Sequence, residues 1–338
     1  MYIELDGQGA RYAQLIRALK AAILESRLAP GSRVPASRHL ASELGISRNT
    51  VLAAYDQLQA EGFLLARVGS GSFVADIGNR PLPLRQQAAP AVVAPLSAFS
   101  RRALAISDGA LIPGRQHRDL RFNLQYGLPM TNPALASAWR REINRASERA
   151  EFDYPDAQGL PALREQICDY LRRRRGVEAT PENILVISGT QQAFALASRV
   201  LLDAGDRVVL EDPHYRGARQ IFASYGARVL GVRVDAEGLV PAALPKQASL
   251  AVVTPSHQFP TGALLPLSRR VELLEWATAK RCWLIEDDYD GEFRFGGRPL
   301  AALKSLDRDG RVIYIGSYSK TLFPALRLGY MVLPESVG

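Results

Sequence analysis

The chain has 338 residues, of which 47% are hydrophobic and 22% are charged, with a formal net charge of +8. This length favours two or three domains with a substantial core, and the basic charge permits nucleic-acid binding without establishing it. Residues 1–6 lack the features of a signal peptide, and no apolar run is long enough to span a membrane. Cys168 and Cys282 lie far apart, and the four histidines show no metal-binding spacing. We therefore expect a cytoplasmic protein with no metal site, no disulfide framework and no membrane partner.

The first 76 residues predict a helix-turn-helix followed by a wing. Apolar residues at helical spacing predict a first helix over residues 11–25. Ser37 is expected to cap a second helix that stops at Gly45, and Ser47 to cap a third that stops at Gly62. Residues 63–74 then predict two short strands around a glycine turn. The alternative is a small helical subdomain with ordinary surface arginines.

The start of the third helix carries side chains suited to DNA. Arginine pairs well with guanine and asparagine with adenine, which makes Arg48 and Asn49 candidate base readers. Ser47 and Thr50 suit phosphate oxygens. Arg38 in the second helix and Arg67 in the wing are further candidates for phosphate or minor-groove contacts; the run at residues 172–175 is instead expected to be a solvated helix end.

This part of the chain resembles the winged-helix domain of GntR-type regulators. Four segments carry the resemblance in order and almost without gaps: residues 28–41, 45–55, 58–63 and 69–74. The resemblance implies that the head binds double-stranded DNA. It places five residues near the DNA: Arg38, Ser47, Arg48, Thr50 and the wing residue Gly69.

Residues 77–118 are rich in proline and alanine and predict a linker, with a short helix at residues 96–106. From residue 119 to 338, short apolar runs alternate with helical patterns, which predicts an α/β domain with a mainly parallel sheet. The predicted strands are residues 184–187, 208–210, 228–234, 250–253, 282–285 and 312–315, and the predicted helices include residues 191–202, 215–225 and 268–280. Ligands bind such sheets at the carboxyl ends of the strands.

Those strand ends carry a set of residues that suits pyridoxal phosphate (PLP). The turn at residues 188–191 opens a helix and favours a phosphate, and Tyr215 could stack on a flat ring. An acid within residues 286–288 could keep a pyridine nitrogen protonated, and Lys320 could form a Schiff base. Ser317 and Arg327 would complete a phosphate cup. Each signal is weak alone, and their common order along the chain predicts a PLP pocket.

The body resembles the fold-type I aminotransferases through residues 254–262, 285–293 and 316–330. Together with the head, the chain resembles the MocR/GabR class of transcriptional regulators. The resemblance implies that Lys320 forms the internal aldimine and that Asp287 pairs with the pyridine nitrogen, with Asp288 as the competitor. It implies further contacts with the ring from Tyr215 and Tyr289, with the phosphate from Gly189, Thr190, Gln191, Ser317 and Arg327, and from Tyr154 across a homodimer interface.

Two departures from the family shape the functional prediction. Phe259 stands where aminotransferases usually carry an asparagine that contacts the ring oxygen, and His257 or Gln258 could substitute for it. The family also continues beyond Gly338 into a subdomain that holds the substrate carboxylate, so we expect a chain truncated at its C-terminus. We predict a PLP-dependent transcriptional regulator that senses an amino acid or amine through the Lys320 aldimine. The alternatives are an aminotransferase with an accessory DNA-binding head and a sensor of PLP itself.

Overall fold

The computed structural model describes residues 3–67, 69–76, 95–106, 121–122, 127, 133–148, 153–293 and 300–337. The chain forms two compact units: a head unit, Met1–Ala94, and a body unit, Pro95–Gly338. No helix within the described ranges is long and apolar enough to cross a membrane. Most of the predicted linker, residues 77–94 and 107–118, lies outside the described residues.

The head unit has the predicted order of three helices and a two-stranded wing. The helices are α1 (Arg11–Leu24), α2 (Ser37–Leu44) and α3 (Arg48–Ala60), and the antiparallel strands are β1 (Leu64–Arg67) and β2 (Gly71–Val74). Leu15, Leu40 and Leu58, one from each helix, are fully buried in the common core. The Tyr55 hydroxyl donates to Pro35 O at 2.8 Å, which fixes α3 against the loop before α2.

Helix caps in the head were predicted with mixed success. Ser47 caps α3 as predicted, because its Oγ accepts a hydrogen bond from Thr50 N at 3.1 Å. Gly45 ends α2 in the left-handed conformation, also as predicted. Ser37 as an N-cap is wrong: α2 begins at Ser37 itself, and Ala36 is the cap residue, with no side-chain hydrogen bond. A serine preceding a helical pattern cannot by itself distinguish the cap position from the first helical turn.

The described strands of the body unit form one sheet. Their bounds are β3 (Ile184–Ile187), β4 (Arg207–Asp212), β5 (Arg228–Asp235), β6 (Gly238–Leu239), β7 (Leu250–Val253), β8 (Trp283–Asp288), β9 (Val312–Ser317) and β10 (Gly329–Val332). Their order across the sheet is β3-β10-β9-β8-β7-β4-β5-β6. Strands β5, β4, β7, β8 and β9 run parallel, while β10 is antiparallel to both β3 and β9. The fold class is therefore the predicted one, an α/β domain with a mainly parallel sheet.

Helices cover both faces of this sheet, which explains why strands such as β7 and β9 are buried along their whole length. Val208 and Leu210 of β4 pack in one cluster, while Val209 between them packs in another. The first cluster contains residues of α7 and α8, and the second contains residues of α9. The body helices are α4 (Ala98–Ile106), α5 (Pro133–Glu148), α6 (Pro161–Arg175), α7 (Thr190–Leu201), α8 (Arg216–Tyr225) and α9 (Leu267–Lys280).

Helix α4 lies inside the predicted linker and packs on α8. The ring of Phe99 meets that of Tyr225 edge-on at 4.9 Å between centroids, and Arg102 Nε donates to Ser224 O at 2.9 Å. This confirms the short helix predicted there. It also makes this stretch part of the body unit.

Two predictions about the body need correction. Strand β8 does not stop at Ile285, because its pairing with β9 continues through Asp288, so the acidic residues lie within the strand and are buried. The run at residues 172–175 is not wholly solvated. Arg175 is only 2% exposed and forms an ion pair with Asp288, its Nη2 lying 2.7 Å from Oδ2.

Candidate functional site

Asp287 is the most unusual side chain at the carboxyl end of the sheet. It is buried, and its Oδ1 has no hydrogen-bond partner among the residues that the structure describes. Burial, with the neighbouring carboxylates of Asp288, Asp290 and Glu211, raises the pKa of Asp287 to about 7. Burying a polar atom without a hydrogen-bond partner costs free energy, so such an atom points to a role in binding or catalysis.

The neighbouring Asp288 is fully engaged elsewhere. Its carboxylate pairs with Arg175 at 2.7 Å and accepts a hydrogen bond from the Tyr314 hydroxyl. Arg175 in turn donates to Leu300 O and to Ser256 Oγ, both at 2.8 Å. Asp288 is thus committed to contacts inside the fold, whereas Asp287 lines the pocket.

Tyr215 lies on the same small pocket as Asp287, which Phe194, Ala218, Val252 and Thr254 also line. The Tyr215 hydroxyl accepts a hydrogen bond from Gln191 Nε2 at 2.9 Å. Any side chain at Gly217 would collide with both, since its Cβ would lie 2.1 Å from Gln191 Nε2 and 2.5 Å from the tyrosine ring. The β3–α7 turn and the start of α8 thus hold one aromatic ring beside the buried acid.

Phe259 packs against both tyrosines that are predicted to contact the cofactor ring. Its ring meets Tyr215 at 6.1 Å and Tyr289 at 5.8 Å between centroids, nearly perpendicular to each. His257 lies almost parallel to Tyr289 at 6.1 Å, and its Nδ1 is 2.5 Å from Asp290 Oδ2. Burial raises the pKa of Tyr289, so its hydroxyl remains a hydrogen-bond donor over the physiological range.

A second corner of the site brings Gly189 and Arg327 together. Gly189 caps α7 at a φ of +85°, and a Cβ there would lie 2.9 Å from Arg327 Nη2. That guanidinium donates to Ser188 O at 2.9 Å. Thr190 and Gln191 open the helix, whose first amides point out of its N-terminus, and Ser317 ends strand β9, which is separated from β3 by β10 alone. This corner combines helix amides, a hydroxyl and an exposed guanidinium, which suits a phosphate.

Lys320 follows β9 and is half-buried. Its Nζ donates to Gly127 O at 2.6 Å. Burial lowers the pKa of the lysine, and the charge of Asp290 opposes that effect. A lowered pKa increases the neutral, nucleophilic fraction of the amine.

Tyr154 is not part of this pocket within one chain. Its side chain is 98% exposed, although it belongs to an ordered segment in which Asp156 pairs with the buried Arg164 at 2.6 Å. The other predicted contact residues lie at or next to the ends of β3, β4, β8, β9 and β10, while Tyr154 lies outside the pocket of its own chain.

The predicted DNA-contacting residues lie on the surface of the head unit. Ser47, Arg48 and Asn49 are exposed at the start of α3, while Thr50 is half-buried. Arg48 Nε lies 3.5 Å from Ser37 Oγ, so the starts of α2 and α3 are neighbours. In the wing, Gly69 is exposed at a φ of +74°, and Arg67 lies 4.6 Å from the centre of the Phe73 ring. Arg38 is exposed on α2.

Comparison with known proteins assigns both units. Residues 11–74 match the bacterial regulatory proteins of the gntR family, and residues 123–337 match the class I and II aminotransferases. The chain is 38% identical over its whole length to the probable rhizopine catabolism regulatory protein MocR of Rhizobium meliloti, of which it covers 68%. It is 40% identical over 98% of its length to the regulator TauR of Rhodobacter capsulatus, of which it covers 69%.

The chain belongs to the MocR-type family of transcriptional regulators. Another member, the pyridoxine biosynthesis regulator PdxR of Corynebacterium glutamicum, is 35% identical over 95% of the chain, which spans 65% of that protein. The MocR-type architecture, a GntR head on an aminotransferase-like body, is thus the one predicted from the sequence.

Solved structures resemble the body of this MocR-type chain. An archaeal alanine:glyoxylate aminotransferase is 30% identical with a TM-score of 0.60, covering 72% of this chain and 62% of its own. The α-aminoadipate aminotransferase LysN from Thermus thermophilus is 32% identical with a TM-score of 0.61, covering 71% and 62%. That structure holds N-(5'-phosphopyridoxyl)-L-leucine.

The residues of this site fit a PLP group. The unpartnered Asp287 Oδ1 offers a partner to a ring N–H, and the Gly189–Arg327 corner leaves no space for a β-carbon at the helix start. These features lie at the carboxyl ends of β3 and β8, two strands of one sheet, and ligands of such sheets bind at the carboxyl ends of the strands.

The Asp287 carboxyl makes a testable contribution to pH-dependent stability. The pKa of Asp287 is raised from 3.8 to about 7 in the folded chain, so the folded chain binds this proton more tightly than the unfolded chain does. The free energy of unfolding that this proton contributes is fully present below pH 3.8 and is lost as the pH rises through 7. In the cofactor-free chain, Asp287→Asn should therefore be more stable than the wild type at pH 8, by on the order of a few kcal/mol, and about equal near pH 4. Urea unfolding followed by tryptophan fluorescence measures this, because Trp139, Trp276 and Trp283 all lie in the body.

The matched control for this prediction is Asp203→Asn, which changes an exposed carboxyl of the same unit. At pH 8 its free energy of unfolding should match that of the wild type. If the difference between Asp287→Asn and the wild type is the same at pH 4 and at pH 8, Asp287 binds no extra proton in the folded chain.

Two features of the site were not found from the sequence. Glu211 is buried beside Asp287, where Thr254 and Gln258 donate to its Oε2, and burial raises its pKa. Gln258, one of the two proposed substitutes for the missing asparagine, uses both ends of its amide in hydrogen bonds within the fold, to Glu211, to Pro213 and to its own loop. A glutamate just before Asp212-Pro213 was the only available signal, and an isolated acid at a strand end has many uses.

Proposed function

We propose that this protein is a PLP-dependent transcriptional regulator. Its head unit binds a double-stranded DNA operator, and its body unit senses an amino acid or amine at a PLP group held by Lys320. The observation that carries the proposal is the buried, unpartnered Asp287 beside Tyr215, in a chain whose other unit exposes the start of a recognition helix at Arg48. A pocket for a reactive cofactor and a DNA-reading surface in one polypeptide favour a sensor.

Different residues of the body unit would bind different parts of the cofactor. Asp287 would pair with the ring nitrogen, Tyr215 would cover the ring, and Tyr289 would donate to the ring oxygen. Gly189, Thr190, Gln191, Ser317 and Arg327 would bind the phosphate, and Lys320 would supply the amine. When bound, PLP provides an aldehyde that reacts with amines and a ring that accepts electrons. Lys320 is suited to this use because burial lowers its pKa.

Regulation requires the effector to bind two states of the protein with different affinity. An incoming amine would displace the Lys320 amine from the cofactor. The freed Lys320 amine could then donate to Gly127 O, as it does in the chain without cofactor. We propose that the protein acts as a homodimer, with Tyr154 reaching the partner's pocket, because its side chain is 98% exposed on an ordered segment. Two heads would then bind two half-sites of an operator.

Two other functions remain as outcomes of the test. Transamination is favoured by the Lys320 and Asp287 pair and by the 30–32% identity to aminotransferases. Sensing of PLP itself is favoured by the relative named as a pyridoxine biosynthesis regulator. The three functions differ in which molecule changes DNA binding.

The deciding experiment measures absorbance and DNA affinity together. The purified protein is titrated with PLP, and operator fragments are selected from a random duplex pool. Affinity is then measured with no ligand, with PLP, and with PLP plus a panel of amino acids and amines. A change that needs both PLP and an amine supports the proposal, and a change with PLP alone indicates a PLP sensor. Sustained keto-acid release with unchanged DNA affinity would indicate an aminotransferase and would contradict the regulator proposal.

Arg48→Ala should weaken binding to the selected operator by about 1–3 kcal/mol and relax the preference at one base pair, because a guanidinium reads guanine through two hydrogen bonds. Fluorescence anisotropy of a labelled duplex measures both effects. Arg27→Ala is the control, since Arg27 is an exposed arginine of the same unit whose partner is Glu25. If the two variants bind alike with unchanged sequence preference, Arg48 does not contact a base.

A further inference from the structure

Glu211 sits at the centre of a hydrogen-bond web at the end of β4. It is 4% exposed, and its Oε2 accepts three hydrogen bonds from one stretch of chain. Thr254 donates through N at 3.2 Å and through Oγ1 at 2.5 Å, and Gln258 donates through Nε2 at 3.1 Å. One buried oxygen thus fastens residues 254–262, which we name the 254–262 loop, to the strand that leads into Tyr215.

Gln258 extends the web through both ends of its amide. Its Nε2 also donates to Pro213 O at 2.9 Å, and its Oε1 accepts from Thr261 N at 3.1 Å and from Thr261 Oγ1 at 2.6 Å. Thr254 Oγ1 accepts from Phe259 N at 3.1 Å. Two backbone amides of the loop, those of Phe259 and Thr261, therefore donate to side chains that Glu211 holds in place.

The loop that Glu211 fastens carries Phe259, and Phe259 lies between Tyr215 and Tyr289. Edge-to-face contacts of this kind fix the orientation of the rings that they join. A shift of the loop would therefore move the aromatic surroundings of the pocket on two sides. Glu211 also lines the same pocket as Asp287.

We propose that Glu211 is a positioning residue of the cofactor pocket, which holds the 254–262 loop so that Phe259 keeps Tyr215 and Tyr289 in place. In this arrangement Tyr289, held in place by its packing against Phe259, would be the hydrogen-bond donor to the ring oxygen of PLP, where aminotransferases usually add an asparagine. The pocket part of the inference rests on the proposed function. The fastening of the loop is a property of the chain without cofactor.

The test combines hydrogen exchange of the cofactor-free protein with PLP titration. Glu211→Ala leaves three donors without their acceptor, so exchange of the Phe259 and Thr261 amides should rise about tenfold or more, and PLP affinity should fall about tenfold. Glu211→Gln keeps an amide oxygen for the same donors and should give smaller changes in the same direction. Glu237→Ala is the control, because that glutamate is 65% exposed and pairs with Arg269. Its loop exchange and PLP affinity should match the wild type.

The outcomes separate the two claims. Unchanged exchange in the 254–262 loop of both Glu211 variants would overturn the fastening. Raised exchange with unchanged PLP affinity would overturn the link to the pocket. If the wild type binds no PLP, the proposed function fails, while the exchange result still decides whether Glu211 holds the loop. If the alanine variant does not fold, the exchange rates and PLP affinity of Glu211→Gln are compared with those of the wild type instead.

Discussion

Lys320→Ala is expected to abolish covalent retention of PLP while leaving the body folded. The amine of Lys320 is half-buried at the end of β9, and removing it leaves the described backbone contacts of that strand intact. Reduction of the PLP-treated protein with borohydride should add the mass of a phosphopyridoxyl group to the wild type and not to the variant. The absorbance of bound PLP near the visible edge should disappear in parallel.

Lys280→Ala is the matched control, because Lys280 is an exposed lysine of the same unit at the end of α9. It should label as the wild type does, at one site. Tryptophan fluorescence should show both variants unfolding close to the wild type in urea. A full PLP adduct on Lys320→Ala would reject Lys320 as the attachment point.

Asp288→Ala should be the most destabilising single change of those considered for the body. It leaves the Arg175 guanidinium, 2% exposed, without its counter-ion and the buried Tyr314 hydroxyl without its acceptor. Breaking a buried pair by removing one partner costs about 3–5 kcal/mol. Urea unfolding followed by tryptophan fluorescence should show the midpoint falling accordingly. The double change of Arg175→Met with Asp288→Leu should recover much of the loss, because it removes both charges.

The same helix supplies a control for this prediction. Arg172 pairs with Asp169 on the surface of α6, with side chains that are 60% and 46% exposed. Exposed pairs contribute about 0–1 kcal/mol, so Asp169→Ala should move the midpoint little. Equal effects of the two aspartate changes would show that burial does not govern the Arg175–Asp288 pair.

The elements of this fold follow from local patterns, and most of them could be predicted. The helix-turn-helix, the wing and the parallel strands all have apolar periodicities and glycine stops within a few residues of their observed bounds. Strand β10 was not predicted, because residues 329–332 make their contacts through β3 and β9, which lie far apart in sequence. Pairing partners decide such a strand, and a local pattern does not contain them.

The site illustrates a similar limit. The spacing of acid and tyrosine favoured Asp287 over Asp288, but it could not show that Arg175, more than a hundred residues earlier, forms an ion pair with Asp288. Arg175 was predicted to be solvated like the three arginines before it, because a run of like charges does not show which of its side chains is buried. Glu211 and Gln258 meet only because β4 and β7 are neighbours in the sheet.

The exposure of Tyr154 has a consequence for how the pocket would respond to protein concentration. In the proposed homodimer, a side chain that is 98% exposed in one copy would contribute to cofactor binding only where a second copy is present. Under the proposed arrangement, association of two chains and loading of PLP share one coupling free energy, so each strengthens the other by the same factor. Dilution would then release cofactor as well as separate the subunits, and the loaded fraction would rise with the amount of regulator in the cell.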